Sequence, residues 1–185
     1  MHVSGLKTID KAYPPFKGRL AFQNFVAKAS SLPIDELNFV RASLLYQQAL
    51  KCRGCEPNIA MMLLCSCADA LKVAGEKVGS HENFSSFYLK YCPSNLRVPP
   101  LEYYPNSQPP AKTSPFDKAL DFIYSKFRCL YVHEGIGHLE PLLKGITIIG
   151  SFLLIKYDNK VYSLDTIKLQ DWFEKITLES LYNML

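Results

Sequence analysis

Arg128 and His133 are the two side chains of this sequence whose types and spacing best suit chemistry on a charged group. They stand at R-C-L-Y-V-H, an arginine followed five residues later by a histidine, in a stretch patterned as one helix. A guanidinium grips a phosphate at two points and steadies the negative charge that builds on it. An imidazole gives or takes a proton near neutral pH. On a regular α-helix, five steps separate the pair by about 140° around the axis and ~7.5 Å along it. One helix therefore does not focus both groups on one atom. Two copies facing each other across a two-fold axis would do so, as a composite polar cleft. The plainer reading has His133 closing the helix C-terminus beside Gly135, where a cation suits the dipole. Arg128 is then a surface residue or half of an ion pair.

The cysteines form a second group with chemical reach. Of six, Cys52 and Cys55 make a CxxC, Cys65 and Cys67 follow within CSC, and Cys92 and Cys129 stand alone. Four cysteine ligands suit zinc, but one intervening residue in the second pair is short for such a site. Cys65 and Cys67 also lie in an apolar helical pattern that aims them roughly 200° apart. Three readings stay open: small buried hydrophobes beside a helix-connecting turn, a Cys52–Cys55 disulfide, and zinc.

These residues need elements to hold them. The chain has 185 residues, 48% of them hydrophobic and 21% charged, which suits one globular domain with a core of its own. A net charge of +4 permits a polyanionic partner without requiring one. The longest apolar run, Ile146 to Ile155, is too short to cross a bilayer and is broken by Thr147, Gly150 and Ser151. The first residues, MHVSGLKTIDKAYPPFKG, lack the apolar stretch of a signal peptide. The expectation is a cytoplasmic protein with no membrane association.

Leu37, Val40, Leu44, Leu45 and Leu50 mark a helix to about Lys51, entered through Asp35-Glu36. After the turn CRGCEPN, Pro57 opens a second helix running to about Val78. It is apolar almost all round and so is predicted to be the most buried. FSSFYLKYC makes a further short helix. Residues 93–115, punctuated by prolines, read as a long surface loop. Ser114-Pro115 starts the helix that carries Arg128 and His133 and stops at Gly135. SFLLIKYDNKVYSL reads as a β-hairpin turning at Asp158-Asn159, and Leu169, Trp172, Phe173 and Ile176 mark a final helix. No repeat occurs.

Three stretches resemble the HEPN superfamily, in the branch called ApeA-like or abortive-infection-like. FVRASLLYQQAL resembles its early helix, with Arg41 and Ala42 ahead of an apolar, Tyr-containing stripe. NIAMMLLCSCADAL resembles its central helix, where an acid near the end is common and Asp69 holds that place. FIYSKFRCLYVHEG resembles the motif helix, with its R-x4–6-H. The resemblance covers about residues 35–137 and leaves 150–185 as a hairpin plus helix appended to one domain spanning 1–185.

The fold it implies is mostly α: a HEPN-like helical bundle with a small C-terminal β-hairpin and terminal helix. The activity it implies is metal-independent endoribonuclease cleavage, of toxin–antitoxin or defence type, at a homodimer interface and without a cofactor. Arg128 and His133 occupy the family's two catalytic positions, with RNA as substrate and an antitoxin or other protein as partner. The residue after the arginine is commonly polar in the family; here it is Cys129, a poor donor to phosphate or imidazole. Other HEPN domains are catalytically silent and bind a partner protein or nucleotide-related ligand, which is the alternative. A third reading is a cysteine-stapled interaction domain. Tyr124 and Tyr131 either stack bases or pack, and Lys126 and Lys144 either add positive potential or form a solvated face.

Overall fold

The computed structural model describes residues 36–71, 80–105, 112–129, 148–149 and 152–184. Helix α1 spans Glu36–Cys52 and α2 spans Pro57–Asp69, with Pro57 in the first turn of α2 as its fixed φ favours. Helix α3, His81–Tyr91, is capped by Ser80, whose hydroxyl accepts from the Asn83 amide at 3.0 Å. Helix α4, Phe116–Ile123, widens into a π-helical turn over Tyr124–Cys129. Helix α5, Thr166–Met184, starts at Asp165, whose Oδ1 accepts from the amides of Ile167 and Lys168 at 3.2 and 3.1 Å. No described helix is long and apolar enough to cross a membrane.

The expected helical bundle is not what forms. Among the described residues, five strands make one antiparallel sheet: β1 Leu101–Tyr104, β2 Lys112–Thr113, β3 Ile148–Ile149, β4 Phe152–Tyr157 and β5 Lys160–Asp165, in the order β2-β1-β5-β4-β3. The hairpin at Asp158-Asn159 does form, with φ of 49° and 58° at those residues, as a two-residue turn requires. It is not a small addition to a bundle, because β5 is the middle strand. The cause lies in 93–115, read from its prolines as loop. Tyr103 and Tyr104 are strand formers, and an isolated two-stranded hairpin is marginal in water. β1 therefore takes the open edge of β5, with Tyr103 opposite Tyr162 and Leu101 opposite Leu164.

Helix α2 is central, packed against α1, α3, α5 and the π turn. The buried face of α1 shares only Leu50 with the described part of the leucine stripe that the sequence suggested. Ala42, Tyr46, Ala49 and Leu50 face inward while Leu44 is 46% exposed. Small buried residues on both helices, Ala42 and Ala49 on α1 and Ala60 and Ala68 on α2, permit close backbone approach. Helix α4 lies between two layers. On one side Phe122 meets Tyr157 and Tyr162 of the sheet, at 5.4 and 6.3 Å between ring centroids. On the other, Tyr124 meets Phe84 of α3 at 5.0 Å. Three consecutive residues, Phe122, Ile123 and Tyr124, are buried, as an element covered on both flanks allows.

Candidate active site

Arg128 is placed by the π turn and by the end of α2. Asn83, fully buried in α3, donates from Nδ2 to the carbonyls of Ala68 and Leu71 at 3.2 and 2.7 Å, fastening the chain where α2 stops. That stop places Asp69 as the last residue of α2, and its Oδ2 accepts from Arg128 Nε at 2.9 Å. The guanidinium also lies over the Tyr124 ring, 5.5 Å from its centroid. A buried acid on α2 and an aromatic ring on its own turn thus hold the arginine.

The electrostatics follow from burial. Burial pushes the Asp69 carboxyl up, and the hydrogen bond and charge of Arg128 offset only part of that. Burial would lower Arg128, but Asp69 outweighs it and holds the guanidinium above its usual range, so it stays charged. Tyr124 is pushed up to about 12 by burial and then by Asp69, so its phenol stays neutral. Burial also raises the Cys129 thiol, against the opposing pull of Arg128. Cys129 therefore does not stand in as an ionised group beside the arginine.

His133 lies outside the described residues, as do Tyr131 and Lys144, so its relation to Arg128 is not placed. The 140° relation between the two belonged to a regular α-helix. Tyr124–Cys129 is wound wider, with hydrogen bonds to the fifth residue rather than the fourth, so that angle does not carry through the turn. π turns recur at functional sites. Tyr124 packs in the core, and Lys126 lies 5.5 Å from the Tyr157 centroid.

The fold adds a group that no sequence signal marked. His81, at the start of α3, sets its ring against Tyr124 at 4.9 Å, so one tyrosine touches both His81 and Arg128. His81 Nε2 is 3.2 Å from Asp121 Oδ1 and 3.5 Å from Ser85 Oγ. The Tyr157 hydroxyl donates to the other oxygen of Asp121. These residues come from α3, α4 and β4, and no motif spacing links them.

All six cysteines are described, and none is in a disulfide. Cys65 and Cys67 are fully buried and Cys55 is exposed. Among the described residues no three His, Cys, Asp or Glu side chains are grouped to hold a metal ion. What the arrangement offers is a fixed cation for an anionic group, with an acid behind it and an imidazole on the same supporting ring. No family model, curated protein or solved structure matches the chain.

Proposed function

We propose that the chain is a metal-independent endoribonuclease of toxin or defence type, working in the cytoplasm as a homodimer, with Arg128 and His133 as its catalytic residues. The observation that favours this is the setting of Arg128: a charged guanidinium held from one side by Asp69, on a π turn. The resemblance of residues 35–137 to HEPN domains supplies the reaction. The 2′-hydroxyl of RNA attacks the adjacent phosphorus, its proton passes to His133, and the P–O bond to the 5′-oxygen breaks. The leaving oxygen takes a proton back, and the other product ends in a 2′,3′-cyclic phosphate. Arg128 steadies the negative charge on the pentacoordinate phosphorus.

Cleavage then persists in EDTA and spares DNA, which has no 2′-hydroxyl. His133→Ala loses about 10²–10⁴-fold in rate while staying folded, which circular dichroism checks. Arg128→Lys loses activity because an ammonium has no planar two-point grip. Light scattering gives roughly twice the 21.0 kDa chain mass. Full cutting by both variants would sink the proposal.

One observation favours a second reading, a catalytically silent module that binds a partner protein or nucleotide-related ligand. Arg128 is already committed to Asp69, and a neutral thiol follows it where the family commonly has a polar residue. Cys129→Asn and Cys129→Ser separate the two. If the parent is inert, cutting restored by either variant marks a lapsed enzyme, and continued inertness favours the silent module.

A further inference from the structure

Beyond Arg128, the inner face of the sheet ends in a cluster of tyrosines and lysines that the arginine site does not use. Tyr162, 5% exposed, is its floor. Tyr103 of β1 and Tyr157 of β4 flank that floor, with ring centroids 5.9 and 6.5 Å from it, and both are half-buried. A lysine ammonium sits over each flanking ring: Lys160 over Tyr103 at 5.6 Å and Lys126 over Tyr157 at 5.5 Å. The cluster is continuous with Arg128. Lys126 shares the π turn with it, and Tyr157 reaches it through Asp121, His81 and Tyr124.

We propose that Tyr103 and Tyr157, with Lys126 and Lys160, form a subsite that binds single-stranded RNA by base stacking and phosphate pairing and leads the strand toward Arg128. The nuclease reading supplies only the choice of polymer. The half-exposed rings offer flat apolar area, and the lysines offer charge opposite to a phosphate chain. A lysine over a partly buried tyrosine is worth about 0.5–2 kcal/mol, whereas stacking a base on an aromatic ring is worth about 1–3 kcal/mol. An incoming base therefore displaces the ammonium, which is released to pair with a phosphate. Duplex RNA has its bases stacked internally and gains only the charge. The acids at the edge, Asp121 and Asp158, keep the surface from being a plain basic patch: Asp121 is engaged by His81 and Tyr157, and Asp158 occupies the hairpin turn.

The test uses the full chain and a fluorescent single-stranded 2′-O-methyl oligonucleotide, which has no attacking hydroxyl and cannot be cut. Its anisotropy reads binding whether or not the protein is a nuclease. Tyr103→Ala is expected to weaken binding about 5- to 100-fold, with Tyr103→Phe close to the parent. Lys126→Gln with Lys160→Gln is expected to flatten the plot of log K against log salt by about 1.4, two phosphate contacts at ~0.7 each. The parent is expected to prefer the single strand to a duplex of equal length. Circular dichroism and thermal melting of each variant control for folding, and each is expected to match the parent. The proposal is overturned by no binding at micromolar protein, by unchanged affinity in Tyr103→Ala, by equal affinity for duplex, or by equally good displacement with polyglutamate, which would assign the patch to acidic polypeptides. Cutting of natural RNA without these effects removes the subsite alone; the expected effects without cutting remove the nuclease alone.

Discussion

The Nε of Arg128 donates to Oδ2 of Asp69 across 2.9 Å, joining residues 59 apart in sequence. Both side chains are largely out of solvent, at 18% and 11% exposure. The other carboxylate oxygen, Oδ1, is buried with no hydrogen-bond partner among the described residues. A pair so placed attracts strongly yet does not recover all of the hydration that both charges lose. That balance makes the pair a means of orienting the arginine more than a source of stability.

A double-mutant cycle of Asp69→Ala and Arg128→Ala, followed by urea unfolding, should show a coupling of about 0.5–3 kcal/mol. Asp69→Ala alone should cost about 1–3 kcal/mol, since it leaves a half-buried guanidinium short of its acceptor. A coupling near zero would mean that Asp69 does not hold Arg128 in solution.

The same pair sets a pH dependence whose sign can be worked out. Burial raises the Asp69 carboxyl above its ordinary 3.8, even with Arg128 beside it. Between that value and the native one, the folded chain keeps a proton that the unfolded chain releases, so stability falls as pH rises through this window. Asp69→Asn cannot titrate, so the parent should gain on it as pH is lowered from about 7 toward 4. The opposite slope would show that Arg128, and not burial, dominates the carboxyl.

Thiol reactivity should separate the cysteines by depth. Cys55 is exposed and should label rapidly with an aromatic disulfide reagent in native buffer. Burial pushes Cys65 and Cys67 well above the usual thiol range, so they should react only as fast as the chain opens. Mass spectrometry of peptides locates the label. Elemental analysis should find no stoichiometric zinc, and chelator should leave the melting curve unchanged. One zinc per chain would contradict the reading of Cys65 and Cys67 as buried apolar residues.

The hairpin turn has its own signature. Asn159 sits at φ 58°, in the left-handed region that a branched side chain resists. Asn159→Val should cost about 1–2 kcal/mol, or roughly 2–8 °C in Tm for a chain of this size. Asn159→Gly should match or exceed the parent. Because β5 is the middle strand, a slipped turn would also disturb the pairing of Tyr103 with Tyr162. An unchanged Tm in Asn159→Val would show that the turn does not set that register.

What the sequence determined by itself was local. Pro57 opened a helix, Asp158-Asn159 turned a hairpin, and most of the apolar run from Ala60 to Ala68 was buried, because propensity, turn chemistry and helical periodicity act over a few residues. The face of α1 was also present in it, at Ala42, Tyr46, Ala49 and Leu50. The leucines drew attention away from it, since close helix contact rewards small residues as much as large ones. The candidate site was half legible: Arg128 stood out by type and spacing, and Asp69 only through the resemblance of its stretch to the HEPN central helix. Only the tertiary structure decided that Asp69 meets Arg128, that His81 shares Tyr124 with it, and that a proline-rich stretch supplies strand β1. Each of these joins residues tens of positions apart. Strand pairing and ion pairing depend on which surfaces meet when α2, α4 and β5 bury their apolar faces together, and no local spacing encodes that meeting.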